Sequence, residues 1–153
     1  VVLGHEADEV GAALAGVTDE RIELVGNRRY REGMGTSLAH GVSGCSWGTD
    51  AFVVALADAP FFRTEDVDRL IDGHAAGSPI VVPVYCGRRG HPVLLDGRFR
   101  EGLESLEGDA GAREILEENS ELVKEIELDD EGFLVDIDNS EDYEAVKDGI
   151  APR

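Results

Sequence analysis

The chain has 153 residues, of which 33 are Asp or Glu and 14 are Lys or Arg, so its formal net charge is −19. This length suits one domain with a substantial core, and the charge argues against nucleic acid or an anionic membrane surface as a partner. The 42% hydrophobic content, in regular patterns, argues against disorder. Because only two of the basic residues are lysines, the acidity indicates a soluble, halophilic protein in which salt screens the self-repulsion.

In the first half of the chain, strand-like segments alternate with helical spacing. Residues 1–3 and 22–25 predict short strands, and the repeat of Ala7, Val10 and Leu14 predicts a helix at about residues 6–15. A polar loop with glycines at residues 27–35 precedes a helix predicted at residues 36–42. A second loop, residues 44–50, leads into an apolar run.

This apolar run, residues 51–57, ends at Asp58, which Ala59 and Pro60 follow. A short continuous apolar run bounded by a polar turn predicts a strand buried on both faces, as in parallel α/β sheets. Ligands bind outside the carboxyl ends of such strands. Asp58 is therefore well placed to hold a divalent metal, because Mg²⁺ typically uses one or two carboxylates plus substrate phosphates. The run alone leaves open an aspartate that only turns the chain or caps the next helix.

The second half continues the alternation. Thr64 is expected to cap a helix whose inner face carries Val67, Leu70, Ile71 and His74. Strands are predicted at residues 79–84, 90–95, 122–128 and 133–137, and short helices at residues 99–106 and 112–116. A last helix begins at Asn139 or Ser140, with Tyr143, Val146 and Ile150 on its inner face. Together these elements predict one three-layered α/β domain over residues 1–153, with a largely parallel sheet and an antiparallel piece near the end.

Two further carboxylates lie in the predicted strand at residues 133–137 and just after it. On a strand, Asp136 and Asp138 share one face while Val135 and Ile137 point to the other. Two carboxylates on one face repel each other unless a cation or hydrogen-bond donors lie between them. A helix N-terminus, which accepts acidic side chains, is the alternative explanation and the better one from this segment alone.

Arginines cluster in two loops. Arg88 and Arg89 stand in a tight turn between Gly87 and Gly90, and Arg suits bidentate phosphate binding, although a solvated hairpin tip fits the same pattern. His91, held extended by the proline that follows it, fits a structural hydrogen bond better than a catalytic role. The loop at residues 27–37 holds Arg28, Arg29 and Arg31, and such local positive charge in an acidic chain favours an anionic ligand.

A glycine-rich segment, residues 108–113 (GDAGAR), leads into a predicted helix whose free N–H groups could bind an anion. Cys45 and Cys86 lie far apart in sequence and form no metal-type pair, so we expect reduced, buried thiols in a cytoplasmic protein. No apolar stretch reaches membrane-spanning length and no signal peptide is visible.

In order along the chain, the segments NRRYREGMGTSL, ALADAP, GRRGHPVLL, GDAGAR and VDIDNSEDY resemble the motifs of the molybdenum cofactor cytidylyltransferase group of the MobA-like nucleotidyltransferases. The resemblance covers nearly the whole chain and implies a three-layer, Rossmann-like nucleotidyltransferase fold with a mostly parallel sheet. It implies transfer of CMP from CTP to the phosphate of molybdopterin, with release of pyrophosphate, and further partners among molybdoenzymes or their chaperones.

By position, the resemblance implies that Asp58 binds Mg²⁺ or Mn²⁺, with Asp136 or Asp138 as the second carboxylate near the metal. The residues expected to bind the nucleotide or the pterin are Met34, Ser37, Arg88, Arg89, His91, Asp109 and Arg113. A phosphate nucleophile is already ionised, so no general base is required, and the protein has to position two anions and neutralise their charge.

The chain departs from the family pattern in two places. Asn139 and Ser140 replace the usual Thr-Pro, which keeps the helix cap. The family also opens with a strand and a glycine-rich loop bearing Arg and Lys, which cradles the triphosphate, and nothing here matches it. We therefore expect the first βα unit to be missing, and little or no transferase activity from this chain by itself. A guanylyltransferase or sugar-phosphate nucleotidyltransferase of the same fold, and a non-catalytic ligand-binding domain, remain alternatives.

Overall fold

The computed structural model describes residues 1–17 and 20–147. In chain order its elements are β1 (Val2–Leu3), α1 (Ala7–Leu14), β2 (Val25–Gly26), α2 (Met34–Gly44), β3 (Ala51–Val54), α3 (Thr64–Ala75), β4 (Ile80–Tyr85), β5 (Arg88–Arg89), β6 (Val93–Asp96), α4 (Arg100–Glu104), α5 (Gly111–Glu118), β7 (Val123–Glu127) and α6 (Ser140–Val146). The chain divides into two compact units. Unit 1 is formed by Val1–Asp50 and Gly97–Asn119, and unit 2 by Ala51–Asp96 and the chain from Ser120 onward. The single domain expected from the sequence stays a prediction.

In its described residues, unit 1 contains a short parallel pair, β1 and β2, and four α-helices. β2 is shorter than predicted, since residues 22–24 lie outside it, and α2 is longer, since it begins at Met34 and extends to Gly44. The buried apolar residues of this unit come mainly from the helices: Ala39, Val42, Leu103, Leu106, Ala112 and Ile115.

A buried cation stabilises the end of α2. Arg100 is 8% exposed, and its guanidinium donates to the carbonyl oxygens of Val42 at 3.0 Å and Ser46 at 2.6 Å. The last carbonyls of a helix have no partner within the helix, and a basic side chain both pairs them and matches the negative end of the helix dipole. Arg100 therefore carries a structural role that the sequence pattern did not indicate.

Unit 2 is built on a mixed sheet of five strands. β3 pairs antiparallel with β6, β6 pairs antiparallel with β4, and β4 pairs parallel with β7 and antiparallel with the short β5. It follows that β3, β4 and β7 point in one direction while β6 runs against them. The prediction of a largely parallel sheet is therefore wrong. The tight turn after β4 lets the chain reverse and pair antiparallel with β4 itself.

Strand β3 differs from the prediction in length and burial. It ends at Val54, well before Asp58, and Val53 is 43% exposed. The expectation of a strand buried on both faces is therefore wrong: Phe52 is buried, but Val53, which points to the opposite face, is not. β3 also lies at the end of the strand order, with β6 as its paired neighbour among the described strands, so its other backbone edge is open.

Residues 133–137, predicted as a strand, are not one. Gly132–Leu134 form a 3₁₀ turn, and the N–H of Ile137 donates to the carbonyl oxygen of Asp58 at 2.7 Å instead of entering a strand ladder. The side chains still alternate in exposure as they would on a strand: Asp136 and Asp138 are exposed, while Val135 and Ile137 are partly buried. One-sided packing produces this pattern without a sheet.

Helix α3 packs on the sheet through Leu70, which is fully buried together with Val81 and Leu94. Thr64 is the first residue of the helix rather than its cap. The cap position is Arg63, whose backbone N–H donates to the carboxylate of Asp66 at 2.9 Å. Ile71, expected on the inner face, is 47% exposed. His74 is partly buried and lies 2.9 Å from the carboxylate of Asp96 on β6.

Both cysteines are free, but they are exposed, so the expectation that Cys45 and Cys86 are buried is wrong. Cys45 directly follows α2 and Cys86 lies in the turn after β4, so neither is part of a buried strand. No helix within residues 1–17 and 20–147 combines the length and apolar character that a membrane crossing requires.

Helix α6 begins with the cap predicted for it. The Oδ1 of Asn139 accepts from the N–H groups of Glu141 and Asp142, and the Asp142 carboxylate accepts from the N–H of Asn139. Val146 is buried, whereas Tyr143 is 56% exposed, contrary to the expectation of an inner-face residue. Ile150, the remaining predicted inner-face residue, lies outside the described residues.

We expect Asn139→Ala to lower the free energy of unfolding by about 1 kcal/mol, because two N-terminal N–H groups of α6 lose their acceptor. Urea denaturation monitored by circular dichroism measures this change. Ser140→Ala, one residue along and exposed, serves as the control and should change stability by less than about 0.5 kcal/mol. Equal effects of the two substitutions would contradict the cap assignment.

Candidate active site

The sheet of unit 2 gathers three loop segments at one edge. This is the carboxyl end of the sheet. β3, β4 and β7 run in the same direction and therefore end there, and the antiparallel β6 begins there. The loops that leave or enter at the edge are residues 55–63 after β3, residues 86–92 around β5, and residues 128–138 after β7. Ligands of α/β sheets bind outside this end of the strands.

Direct contacts join the loop after β3 to the segment after β7. The Ile137 N–H donates to the Asp58 carbonyl oxygen at 2.7 Å. At Gly132, a Cβ atom would lie 2.9 Å from the carbonyl oxygen of Phe61, so the two backbones approach too closely for a side chain there. Asp136 and Asp138 flank the residue that is bonded to Asp58, and all three aspartates are exposed. The structure thus brings the loop that carries Asp58 against the segment that carries the other two.

The turn around β5 packs on the same segment. A Cβ at Gly90 would lie 2.5 Å from Cδ2 of Phe133 and 2.8 Å from Cδ2 of Leu134. His91, partly buried, has its Nδ1 3.5 Å from the carbonyl oxygen of Val54, the last residue of β3. His91 therefore lies at the carboxyl end of β3, with a backbone oxygen as its neighbour.

The two arginines of this turn differ in their partners. The Nε of Arg89 lies 2.7 Å from a carboxylate oxygen of Glu125 on β7, whereas Arg88 is exposed in the short β5. Beside them, the electrostatic influence of the neighbouring Cys86 and then burial raise the pKa of Tyr85, with Glu131 and Asp130 adding to the effect. The Tyr85 hydroxyl therefore keeps its proton at neutral pH and remains a hydrogen-bond donor.

Unit 1 holds a second group of predicted site residues. They lie on two loops that pack closely together, residues 27–37 and 108–113. The N–H of Gly35 donates to the carbonyl oxygen of Gly108 at 2.8 Å. Gly33 has φ 119°, and a Cβ there would lie 2.1 Å from the carbonyl carbon of Gly108. Only glycine fits such an approach in that backbone conformation. A Cβ at Gly111 would lie 3.4 Å from Cε of Met34, so the Met34 side chain lies next to the GDAGAR loop.

Asn27 organises the same loop and was not singled out from the sequence. Its side chain is buried, and its Nδ2 donates to the hydroxyls of Thr36 at 2.9 Å and Ser37 at 3.0 Å. Its Oδ1 accepts from the N–H of Arg29 at 2.8 Å. A polar residue directly after a short strand was the available signal, because such a side chain can be buried only if its hydrogen bonds are satisfied.

Several predicted ligand-binding side chains have acidic partners or are open to solvent. Arg113 pairs with Glu117 one turn along α5 at 2.6 Å, and this hydrogen bond raises the pKa of Arg113. Arg29 pairs with Glu32 at 2.7 Å, an interaction that lowers the pKa of Glu32. Asp109 is exposed. Within residues 1–17 and 20–147, no three His, Cys, Asp or Glu side chains cluster closely enough to hold a metal by themselves.

Residues 1–123 match the family described as the MobA-like NTP transferase domain. The chain belongs to this family of nucleotidyltransferases. Nicotine blue oxidoreductase of Paenarthrobacter nicotinovorans is 33% identical over 153 aligned residues, which cover 92% of this chain and 71% of that protein. Purine catabolism protein PucB of Bacillus subtilis is 30% identical over 118 residues, covering 76% of this chain and 57% of that protein.

Solved structures agree with this membership. Rv0371c of Mycobacterium tuberculosis superposes with a TM-score of 0.78 at 25% identity, over 97% of this chain and 75% of its own. A nucleotidyl transferase from Methanothermobacter gives a TM-score of 0.76 at 25% identity, over 97% and 70%. A manganese complex of Rv0371c has also been solved, with 24% identity, a TM-score of 0.78 and coverage of 97% and 76%.

For this MobA-like domain, the predicted α/β nucleotidyltransferase fold is confirmed, with a sheet that is partly antiparallel. The expected absence of a βα unit ahead of residue 1 stays a prediction. Of the predicted site residues, unit 2 carries Asp58, Arg88, Arg89, His91, Asp136 and Asp138, and unit 1 carries Met34, Ser37, Asp109 and Arg113.

Proposed function

We propose that this nucleotidyltransferase moves CMP from CTP to the phosphate of molybdopterin and releases pyrophosphate, with Asp58 and one of Asp136 and Asp138 as the carboxylates at the reacting phosphates. One observation carries the proposal: the 2.7 Å hydrogen bond from the Ile137 N–H to the Asp58 carbonyl oxygen. It places the two acidic segments side by side at the carboxyl edge of the sheet, where substrates of this class of fold bind.

The residues fit a divalent cation. Exposed carboxylates at a sheet edge are hard oxygen ligands, and one or two of them plus substrate phosphates satisfy Mg²⁺ or Mn²⁺. Since no three-residue cluster is found in the described part of the chain, the phosphates would complete the coordination. The manganese complex of Rv0371c supports this assignment. When bound, the cation supplies neutralisation of the charge on the triphosphate.

The chain's own residues then position two anions. An oxygen of the pterin phosphate attacks the α-phosphorus of CTP, and the bond from that phosphorus to the bridging oxygen of the β-phosphate breaks. Because the nucleophile is ionised, no side chain has to remove a proton. We assign Arg88 in the exposed turn to phosphate binding. Arg89 joins it through the N–H groups that its Nε bond to Glu125 does not use, since a guanidinium carries five donors.

We also assign the two closely packed loops of unit 1 to substrate binding. The bonds from Asn27 hold the Ser37 hydroxyl, and Met34 is 51% exposed, which leaves its thioether open to a planar ring. Asp109 lies two residues before the start of α5, and Arg113 lies in its first turn. Arg113 is 84% exposed in its side chain, so its pair with Glu117 is an easily broken surface interaction.

Pyrophosphate release from the complete gene product tests this function. With molybdopterin as acceptor, CTP is expected to give release and GTP much less. Faster release with GTP would identify a guanylyltransferase, and release only with a sugar phosphate as acceptor would identify a sugar-phosphate nucleotidyltransferase. Binding of CTP without release under any of these conditions would leave the domain as a ligand-binding module and contradict the proposal.

A further inference from the structure

A salt bridge ties the loop after β3 to the segment after β7. Arg63, the residue before α3, places its Nη1 2.7 Å from Oδ2 of Asp130. The same guanidinium lies 3.1 Å from Oδ1 of Asp66, a carboxylate that is 2% exposed. These interactions, with that of Asp66 named first, raise the pKa of Arg63 above its ordinary value. Arg63 therefore stays charged and is anchored on one side by a buried acid.

Asp130 continues the link toward the acidic site. Its Oδ1 accepts from the N–H of Gly132 at 2.9 Å, which fixes the turn where the backbone passes closest to Phe61. Five residues further along, Ile137 donates to Asp58. The two segments are thus joined at two points: the Arg63–Asp130 ion pair and the Ile137–Asp58 hydrogen bond.

The need for such a link follows from charge. Asp58, Asp136 and Asp138 are three carboxylates on segments in backbone contact, in a chain of net charge −19. Carboxylates that share a site repel each other when nothing positive lies between them. An ion pair between the two segments keeps them in contact whether or not a cation or substrate is bound.

We propose that Arg63 and Asp130 are positioning residues, which hold the loop after β3 against the segment after β7 so that Asp58 stays beside Asp136 and Asp138. The inference rests on the function proposed above for those three carboxylates, but the contact itself can be tested without any ligand. Arg63 is a poor target for substitution, because its loss leaves the buried Asp66 without its cation and destabilises the fold.

Asp130→Asn is the sharper variant. Asparagine keeps an oxygen for the Gly132 N–H and removes the charge that pairs with Arg63. The matched control is Asp129→Asn: Asp129 is the adjacent residue, and it pairs at 3.1 Å with Arg69, another arginine of the α3 region, without reaching the loop that carries Asp58. Both variants lose one negative charge, so a general change in the field affects them equally.

Amide hydrogen exchange at Ile137, followed by NMR, reads the contact directly. We expect Asp130→Asn to speed this exchange about two- to fivefold, the effect of losing one partly exposed ion pair on a local opening. Exchange at Leu94 in the buried β6 should stay unchanged, and Asp129→Asn should leave Ile137 as in the natural protein. Unchanged exchange at Ile137 in Asp130→Asn would overturn the proposal, as would equal acceleration at Leu94, which indicates a purely global effect.

Binding of Mn²⁺ alone, measured by electron paramagnetic resonance, separates this inference from the proposed function. We expect Asp130→Asn to weaken Mn²⁺ binding by about tenfold, the scale for residues that orient metal ligands, and Asp129→Asn to leave it unchanged. If Asp58→Asn does not weaken Mn²⁺ binding, the metal assignment is wrong, whatever the exchange data show. If Asp58→Asn abolishes binding while Asp130→Asn alters neither binding nor exchange, the positioning role is wrong and the proposed function stands.

Discussion

Replacing Asp58 by Asn is expected to reduce pyrophosphate release by about 100-fold or more, since a metal-held triphosphate gains several kcal/mol of charge stabilisation and each 1.36 kcal/mol is a factor of ten. The backbone carbonyl of Asp58, not its carboxylate, is bonded to Ile137. The substitution therefore removes the charge and keeps the contact between the two segments. The rate is measured with CTP and molybdopterin at saturating concentrations.

The stability of this variant distinguishes loss of function from loss of fold. Asp58 is exposed, so the free energy of unfolding should stay within about 0.5 kcal/mol of the natural value. Asp68→Asn, the same substitution at an exposed position of α3 in the same unit, is the control and should keep the full rate. A full rate in Asp58→Asn would show that this carboxylate takes no part in the reaction.

The second large effect is expected from Gly33→Ala, which should cost about 3–5 kcal/mol of unfolding free energy. The new Cβ would lie 2.1 Å from the carbonyl carbon of Gly108, and φ 119° lies where an L side chain is strained. Overpacking and backbone strain each contribute about 1–3 kcal/mol. Urea denaturation monitored by circular dichroism measures the loss.

Gly48→Ala is the matched control, because a Cβ at Gly48 meets no atom within 4 Å. It belongs to the same unit and makes the same chemical change, so it should alter stability by less than about 1 kcal/mol. If Gly33→Ala were as mild as the control, the close approach of the two glycine loops would not exist in solution.

The sequence predicted the helices and the buried strands better than the direction of the strands. The apolar run of β4 and the helical spacing around Leu70 both correspond to buried elements. The expectation of a largely parallel sheet was wrong because the hydrophobic period of a strand is the same in parallel and antiparallel sheets. At residues 133–137, one-sided burial imitated a strand, and only the hydrogen bond from Ile137 to Asp58 shows why no ladder forms.

Motifs indicated part of the candidate site, whereas the contacts that depend on packing could not be predicted from the sequence. The family motifs indicated that the segments of Asp58 and Asp136 belong together, and the backbone contact agrees with that. Nothing in the sequence indicated that Arg63 takes the cap position of α3 and pairs with Asp130, since arginine is not a usual capping residue. The exposure of the two cysteines was equally hidden, because the burial of a turn depends on the segments that cover it.

Paramagnetic broadening by Mn²⁺ in the presence of CTP tests the central claim most directly, because it reports which backbone groups lie near the cation. In a nitrogen-15 spectrum of the protein, substoichiometric Mn²⁺ should broaden the amide signals of Asp58, Asp136 and Asp138 together, and Asp58→Asn should abolish the broadening of all three. Broadening that affects Asp58 but spares both Asp136 and Asp138, or that persists in the variant, would contradict a cation shared between the two segments.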